Sequence, residues 1–215
     1  MRRPCVNAST STDSSTFPTN CTTSIPEQEI GVIIREDDGT RVMKSMRWGL
    51  IPFWADDPDE TKYTPINVRA ETIAEKHMFA RAFKEHRCLV PASGFYEWKG
   101  PAGSKTPFYF HLKSRDLFAF PGIYETWNSE DGERTVYSVT FATTTPNKTV
   151  ARVHNRMPVI LSPEEEESWL NPDTDESELL AMLDAYSDSD MERYEVSTYV
   201  NNPYNEGPKA IQPAR

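Results

Sequence analysis

Apolar and polar positions alternate with a period of two through much of the middle of this 215-residue chain. Phe108, Phe110 and Leu112 take one parity, and Tyr109 and His111 the other. That is the signature of a strand with two unlike faces. Short apolar runs at 87–91, 95–98, 107–112, 117–124 and 136–143 are separated by Gly, Ser or Asn turns. Upstream, residues 30–35 and 40–46 predict two strands joined at Asp37-Asp38-Gly39, a hairpin signal. So many short strands in quick succession predict a mostly antiparallel β architecture.

Helical periodicity is sparser. Met78, Phe79, Ala82 and Phe83 fall at helical spacing and predict a helix over 71–86. Ser162-Pro163-Glu164-Glu165 is a helix start: Ser162 can cap, Pro163 suits the first turn, and Glu165 completes a capping box. A further helix is predicted over 176–186 and a strand over 194–200, before a Pro/Gly-rich tail. Residues 1–24 are rich in Ser, Thr and Asn and nearly devoid of large apolar side chains, so they are expected to be a disordered or atypical lead. The remainder, 25–215, reads as one domain.

Composition narrows the function classes. At 37% hydrophobic the chain can bury one sizeable core. It has no run of roughly 18 apolar residues to span a membrane, and its first residues lack the apolar stretch of a secretory signal. Three cysteines, an odd number without CxxC spacing, argue against a disulfide framework or zinc knuckle. A reducing, cytoplasmic location is expected. His77, His86 and His111 show no ligand spacing, so no metal and no cofactor are predicted. The net charge of −10 looks wrong for a nucleic-acid binder until it is divided along the chain. Residues 164–195 hold 13 acids and one arginine, leaving 20 acids and 22 bases elsewhere. The excess is local, and the rest can present a basic groove.

Four clusters mix aromatics or glycine with charged and amide groups: Met46 to Trp54, Asn67 to Thr72, Val90 to Trp98 and Val153 to Leu161. Each functional reading has a plain alternative. His154 is either a satisfied structural histidine or a proton carrier suited to neutral pH. Glu97 is either an exposed strand glutamate or, if it shares a face with Phe95, a buried acid/base whose pKa burial would raise. Asn67 and Arg69 share a face if extended, one to orient a substrate oxygen and the other to hold a phosphate. Trp48 and Trp54 suit a core or a stacking platform, and Cys88 suits a buried small hydrophobe.

Together these clusters resemble the SRAP family, the abasic-site processing proteins that shield abasic sites in single-stranded DNA. The resemblance rests on Met46-Arg-Trp-Gly-Leu-Ile-Pro-Phe-Trp54, Asn67-Val-Arg-Ala-Glu71, Arg87-Cys-Leu-Val-Pro-Ala-Ser-Gly-Phe-Tyr-Glu-Trp98, Thr143-Thr-Thr-Pro146, His154-Asn-Arg-Met-Pro158 and Val200-Asn-Asn-Pro203. It implies a single α+β domain with a β-rich, barrel-like core, a few peripheral helices and a positively charged DNA groove. It implies that Asn67 lies near the reacting sugar, that Glu97 assists imine formation and reversal, and that His154 handles protons of the ring-opened sugar. It places Arg69 and Arg156 on phosphates, and Trp48 and Pro26 in the groove wall. The implied partner is single-stranded DNA with abasic sites; a monomer with no membrane partner is expected.

The family's cross-link uses a cysteine directly after the initiator methionine. Its free amine forms an imine with the sugar aldehyde, and its thiol closes a thiazolidine. This chain instead begins Met1-Arg2-Arg3-Pro4-Cys5, where Arg2 is expected to block methionine removal. Cys5 is thus a candidate nucleophile with a thiol but no free α-amine. Two other classes stay open: a thiol autoprotease or peptidase using a cysteine with His154 and Glu97, and a non-catalytic single-strand binder.

Overall fold

The structure, a computed structural model, describes residues 26–202 and 204–214 in full, with the backbone of two short strands ahead of them. Cys21, Pro203 and most of the Ser/Thr-rich lead lie outside the described residues. The strands are β1 (Arg3–Val6), β2 (Thr22–Thr23), β3 (Glu29–Arg35), β4 (Arg41–Trp48), β5 (Asn67–Arg69), β6 (Arg87–Ala92), β7 (Gly94–Lys99), β8 (Thr106–Leu112), β9 (Phe118–Asn128), β10 (Thr135–Thr144), β11 (Met157–Pro158) and β12 (Met191–Glu195). The helices are α1 (His77–Glu85), α2 (Lys148–Ala151), α3 (Pro163–Leu170) and α4 (Glu176–Ala181).

The strands form two sheets. One runs β12-β8-β7-β1-β2. The other runs β11-β10-β4-β3-β6-β9, and β9 pairs again with β10, so the sheet curls back on itself. The product is the expected α+β domain with a barrel-like core. Most pairings are antiparallel, but β4 and β5 both lie parallel to β10. The predicted hairpin forms in register, Arg35 opposite Arg41, with Gly39 at φ 85° at its tip.

Alternation decides which residues fill which core. Ile30, Val32 and Ile34 join Val90, Phe95, Phe110, Phe120 and Phe141 between the sheets. Leu50, Val68, Ile73, Phe79, Phe83, Leu89 and Ile123 pack with Trp169 beneath α1 and α3, on the outer side of the curled sheet. Tyr96 and Tyr109 face a third cluster with Val196 and Val200. β8 is therefore covered on both faces, because its second parity, read as half-buried from the sequence, meets the C-terminal turns.

Three boundaries differ from the sequence reading. The helix predicted from 71 is a 3-10 turn at Ala70–Thr72, and α1 begins only at His77. Lys76 offers no side-chain cap, and the turn between delivers Ile73 into the outer core. The helix at 176 ends at Ala181, and its following strand lies at 191–195 rather than 194–200. Within the lead, Arg3–Val6 pairs with β7, Cys5 opposite Gly94 and Arg3 opposite Tyr96. An unpaired strand edge is a template for any short segment able to satisfy its backbone groups.

Candidate functional site

β10 organises the site. Phe141 lies opposite Asn67 and Thr143 opposite Arg69, while Thr143 also faces Pro158 of β11. One short stretch of strand thus brings together two motifs that are about 90 residues apart in sequence. Val68 points into the outer core, so Asn67 and Arg69 emerge on the other face. Asn67 Oδ1 is buried without a hydrogen-bond partner among the described residues, and Arg69 is exposed. Thr143 ties the strand ends, its hydroxyl donating to the Val68 carbonyl at 3.1 Å.

Glu97 comes from the other sheet. It shares its parity with Phe95, so it points between the sheets, and it is 1% exposed. His154 follows α2, whose start is capped by Asn147 accepting from the Val150 amide. His154 Nδ1 lies 3.8 Å from Glu97 Oε1. The Arg156 amide can donate to the same nitrogen at 3.1 Å, which places the neutral ring's proton on Nε2. A charged ring has the Arg156 carbonyl at 3.2 Å and Glu97 as acceptors on the Nδ1 side. Both protonation states therefore have partners, as a proton carrier requires. Of the two readings weighed for Glu97, the buried one is what the structure shows.

Arg156 is turned inward. Glu71 meets its two terminal nitrogens, Nη2 at 2.8 Å from Oε2, and Nη2 also donates to the Thr143 carbonyl. This contact holds the Glu71 carboxyl below the usual carboxylate range, with the nearby Arg69 adding to the effect. Sequence reasoning gave Glu71 no role. The signal was present, since residues 67, 69 and 71 share one parity in an extended segment.

Trp48 is wholly buried, stacked on Phe141 at 5.7 Å, with its indole N–H on the Ile66 carbonyl at 2.8 Å. It offers no surface to a groove and instead braces the residue before Asn67, the core reading of the two weighed for it. Trp54 is 45% exposed, edge-on to Phe53 and beside His77. Pro26 is half-buried next to Glu27, whose amide bonds to the Trp48 carbonyl at 2.8 Å. Cys5 is set by backbone register opposite Gly94, three residues along β7 from Glu97, or roughly 10 Å. Cys88 is buried in the core, where desolvation pushes its thiol up and away from ionisation.

Among the described residues no group of three or more His, Cys, Asp or Glu side chains could hold a metal, and no helix is long and apolar enough to cross a membrane. A cavity of about 660 Å³ lies elsewhere, between Trp98, Lys105, Glu195 and Asn201. Trp98 alternates with Glu97, so this cavity opens on the opposite face of β7 and holds none of the site residues.

A family model described as SOS response associated peptidase (SRAP) matches residues 5–203. Abasic site processing protein YoqW of Bacillus subtilis (strain 168) is 46% identical over 189 residues, covering 87% of this chain and 83% of the relative. Abasic site processing protein HMCES of Xenopus tropicalis is 33% identical over 200 residues, covering 81% of this chain and 58% of that longer protein. A solved structure of a protein from Bacteroides thetaiotaomicron aligns with a TM-score of 0.79 at 30% identity, over 88% of this chain and 82% of that one.

Proposed function

Since the chain belongs to the SRAP family, we propose that it processes abasic sites, and does so by binding single-stranded DNA with the abasic sugar against Asn67, Glu97 and His154. Curated relatives named for abasic site processing support this. The observation that carries it is the Glu97–His154 pair: a carboxylate 1% exposed, 3.8 Å from a part-exposed histidine at the end of an inter-sheet core. A buried carboxylate costs stability unless partnered, and here it adjoins the one common side chain that gains and loses a proton near neutrality. In this reading Glu97 and His154 move protons at the sugar's C1 oxygen, Asn67 orients that sugar with its buried amide oxygen, and Arg69 and Arg156 hold the flanking phosphates.

A covalent cross-link is a finer matter. The thiazolidine needs an amine and a thiol on one residue, and the Cys5 nitrogen is committed to the peptide bond with Pro4. We infer that Cys5, acylated by Pro4, does not itself close a thiazolidine with an abasic site. Incubation with abasic and intact single strands, a denaturing gel and peptide mapping of any adduct test this: no heat-stable adduct on Cys5 is expected, and one mapped to Cys5 would contradict it. A band formed only with abasic DNA and mapped elsewhere, with Met1 and residues 2–5 confirmed in place, would show that another nucleophile acts. A thiol peptidase draws no support from Cys88, because the core that buries it keeps the thiol protonated.

A further inference from the structure

The anchoring guanidinium of the site already carries an anion. Glu71 covers the terminal edge of Arg156, one oxygen on each Nη. A phosphate grips arginine through the same two-pronged arrangement. No other edge is open to it. Nη2 is also held by the Thr143 carbonyl, and Nε is buried without an acceptor among the described residues. The two partners differ in how firmly they are fixed. The Arg156 side chain is 16% exposed and that of Glu71 48%. The arginine is built in, while the carboxylate stands at the rim and can swing into water.

We propose that Glu71 is a tethered stand-in for a DNA phosphate, occupying Arg156 in the free protein and displaced when a strand binds. The proposal rests on the reading that this site takes single-stranded DNA. It gives the site a threshold. A carboxylate on the same chain competes at high effective concentration. A lone phosphate must displace it unaided, whereas a strand held also by Arg69 and the sugar pocket arrives with further contacts. Glu71 therefore acts on selectivity and not on the reacting sugar. Its separation from Arg156 by 85 residues, and its location on a turn rather than a strand, leave it free to move without disturbing β5.

Anisotropy of a labelled abasic single strand tests the idea on the full chain, with Glu71→Gln, Glu71→Ala, Arg156→Ala and the double variant Glu71→Gln/Arg156→Ala. Both Glu71 variants should bind roughly three- to tenfold tighter, the scale of a part-exposed arginine–carboxylate pair. The gain should vanish in the double variant, because it acts through Arg156. Inorganic phosphate should compete with the strand at lower concentration on Glu71→Gln than on the wild type. Equal or weaker binding by both folded Glu71 variants, or a gain that survives without Arg156, overturns the proposal. So does loss of folding in both, which would make Glu71 a structural tie. A wild-type chain that binds no single strand removes the functional reading and this one with it. Wild-type binding without a gain in either variant removes this one alone.

Discussion

Arg69 and Arg156 stand two residues apart from their polar partners in parallel motifs, yet the fold treats them differently. Arg69 ends β5 exposed, and Arg156 is pinned by Glu71 and the Thr143 carbonyl. Arg69→Ala should weaken single-strand binding and flatten the plot of log affinity against log salt by about 0.7 for each phosphate that Arg69 neutralises. An unchanged slope would remove Arg69 from the phosphate track. The Glu71–Arg156 pair also has a pH signature. Folding lowers the Glu71 pKa, chiefly through the hydrogen bond from Arg156. A carboxyl lowered in this way contributes stability above its unfolded pKa, near 4.3, and loses it as pH falls through the lower folded value. The melting-temperature gap between wild type and Glu71→Gln should thus be full at neutral pH and shrink below about pH 4. A gap that persists undiminished at pH 3 would contradict the pairing.

At the scale of elements, Arg87 is the joint between helices and sheet. Its buried guanidinium donates to the carbonyls of Phe83 and Lys84 at the end of α1, and of Trp169 and Asn171 at the end of α3, at 2.6–3.0 Å. Helix C-termini leave carbonyls unsatisfied and carry partial negative charge, so one cation serves both ends. Arg87→Met should cost on the order of 2–4 kcal/mol in denaturant unfolding, the cost of orphaning several buried acceptors. A loss under 1 kcal/mol would show that water replaces the guanidinium. Gly94 is a second joint: a Cβ there would come within 2.3 Å of the Tyr109 ring. These elements were unequally legible. The strands announced themselves, because alternation survives wherever one sheet face meets a core, and the Ser162 capping box marked the start of α3. The start of α1 and the extent of α4 did not, since helical spacing of apolar residues does not say where a backbone tightens into a 3-10 turn. The β1 pairing was hidden for another reason. It depends on an open edge on β7, which no property of Arg3–Val6 discloses.

The molecule as a whole divides its charge. The acids of 164–195 sit on α3, α4, β12 and the turns between them, while the site arginines come from β5 and the loop before β11. The division was readable by counting. For a polyanion such as the proposed strand, a local excess of acids disfavours approach along 164–195 and favours approach elsewhere. Replacing the exposed Glu164 and Glu178 with Gln should raise the association rate at low salt and leave the dissociation rate unchanged. A change in dissociation alone would place those residues in contact with DNA. The candidate site was also largely legible as residues, but not as contacts. Asn67, Glu97 and His154 stood out by residue type and motif. That Glu97 would be buried beside His154, or that Glu71 would close on Arg156, depends on how two sheets meet, and sequence periodicity is silent on that. Trp48 went the other way, because an aromatic in a motif reads alike whether it stacks on a ligand or on Phe141.

The central claim is that the Glu97–His154 end of the inter-sheet core recognises an abasic sugar in a single strand. Its most direct test is the affinity of the intact chain for two otherwise identical single strands, one with a single abasic site, measured for wild type and Glu97→Gln at one fixed salt concentration. The account predicts tighter wild-type binding to the abasic strand, a preference that Glu97→Gln abolishes while binding to the intact strand is retained. Equal wild-type affinity for the two strands, or a preference that persists in folded Glu97→Gln, would contradict it.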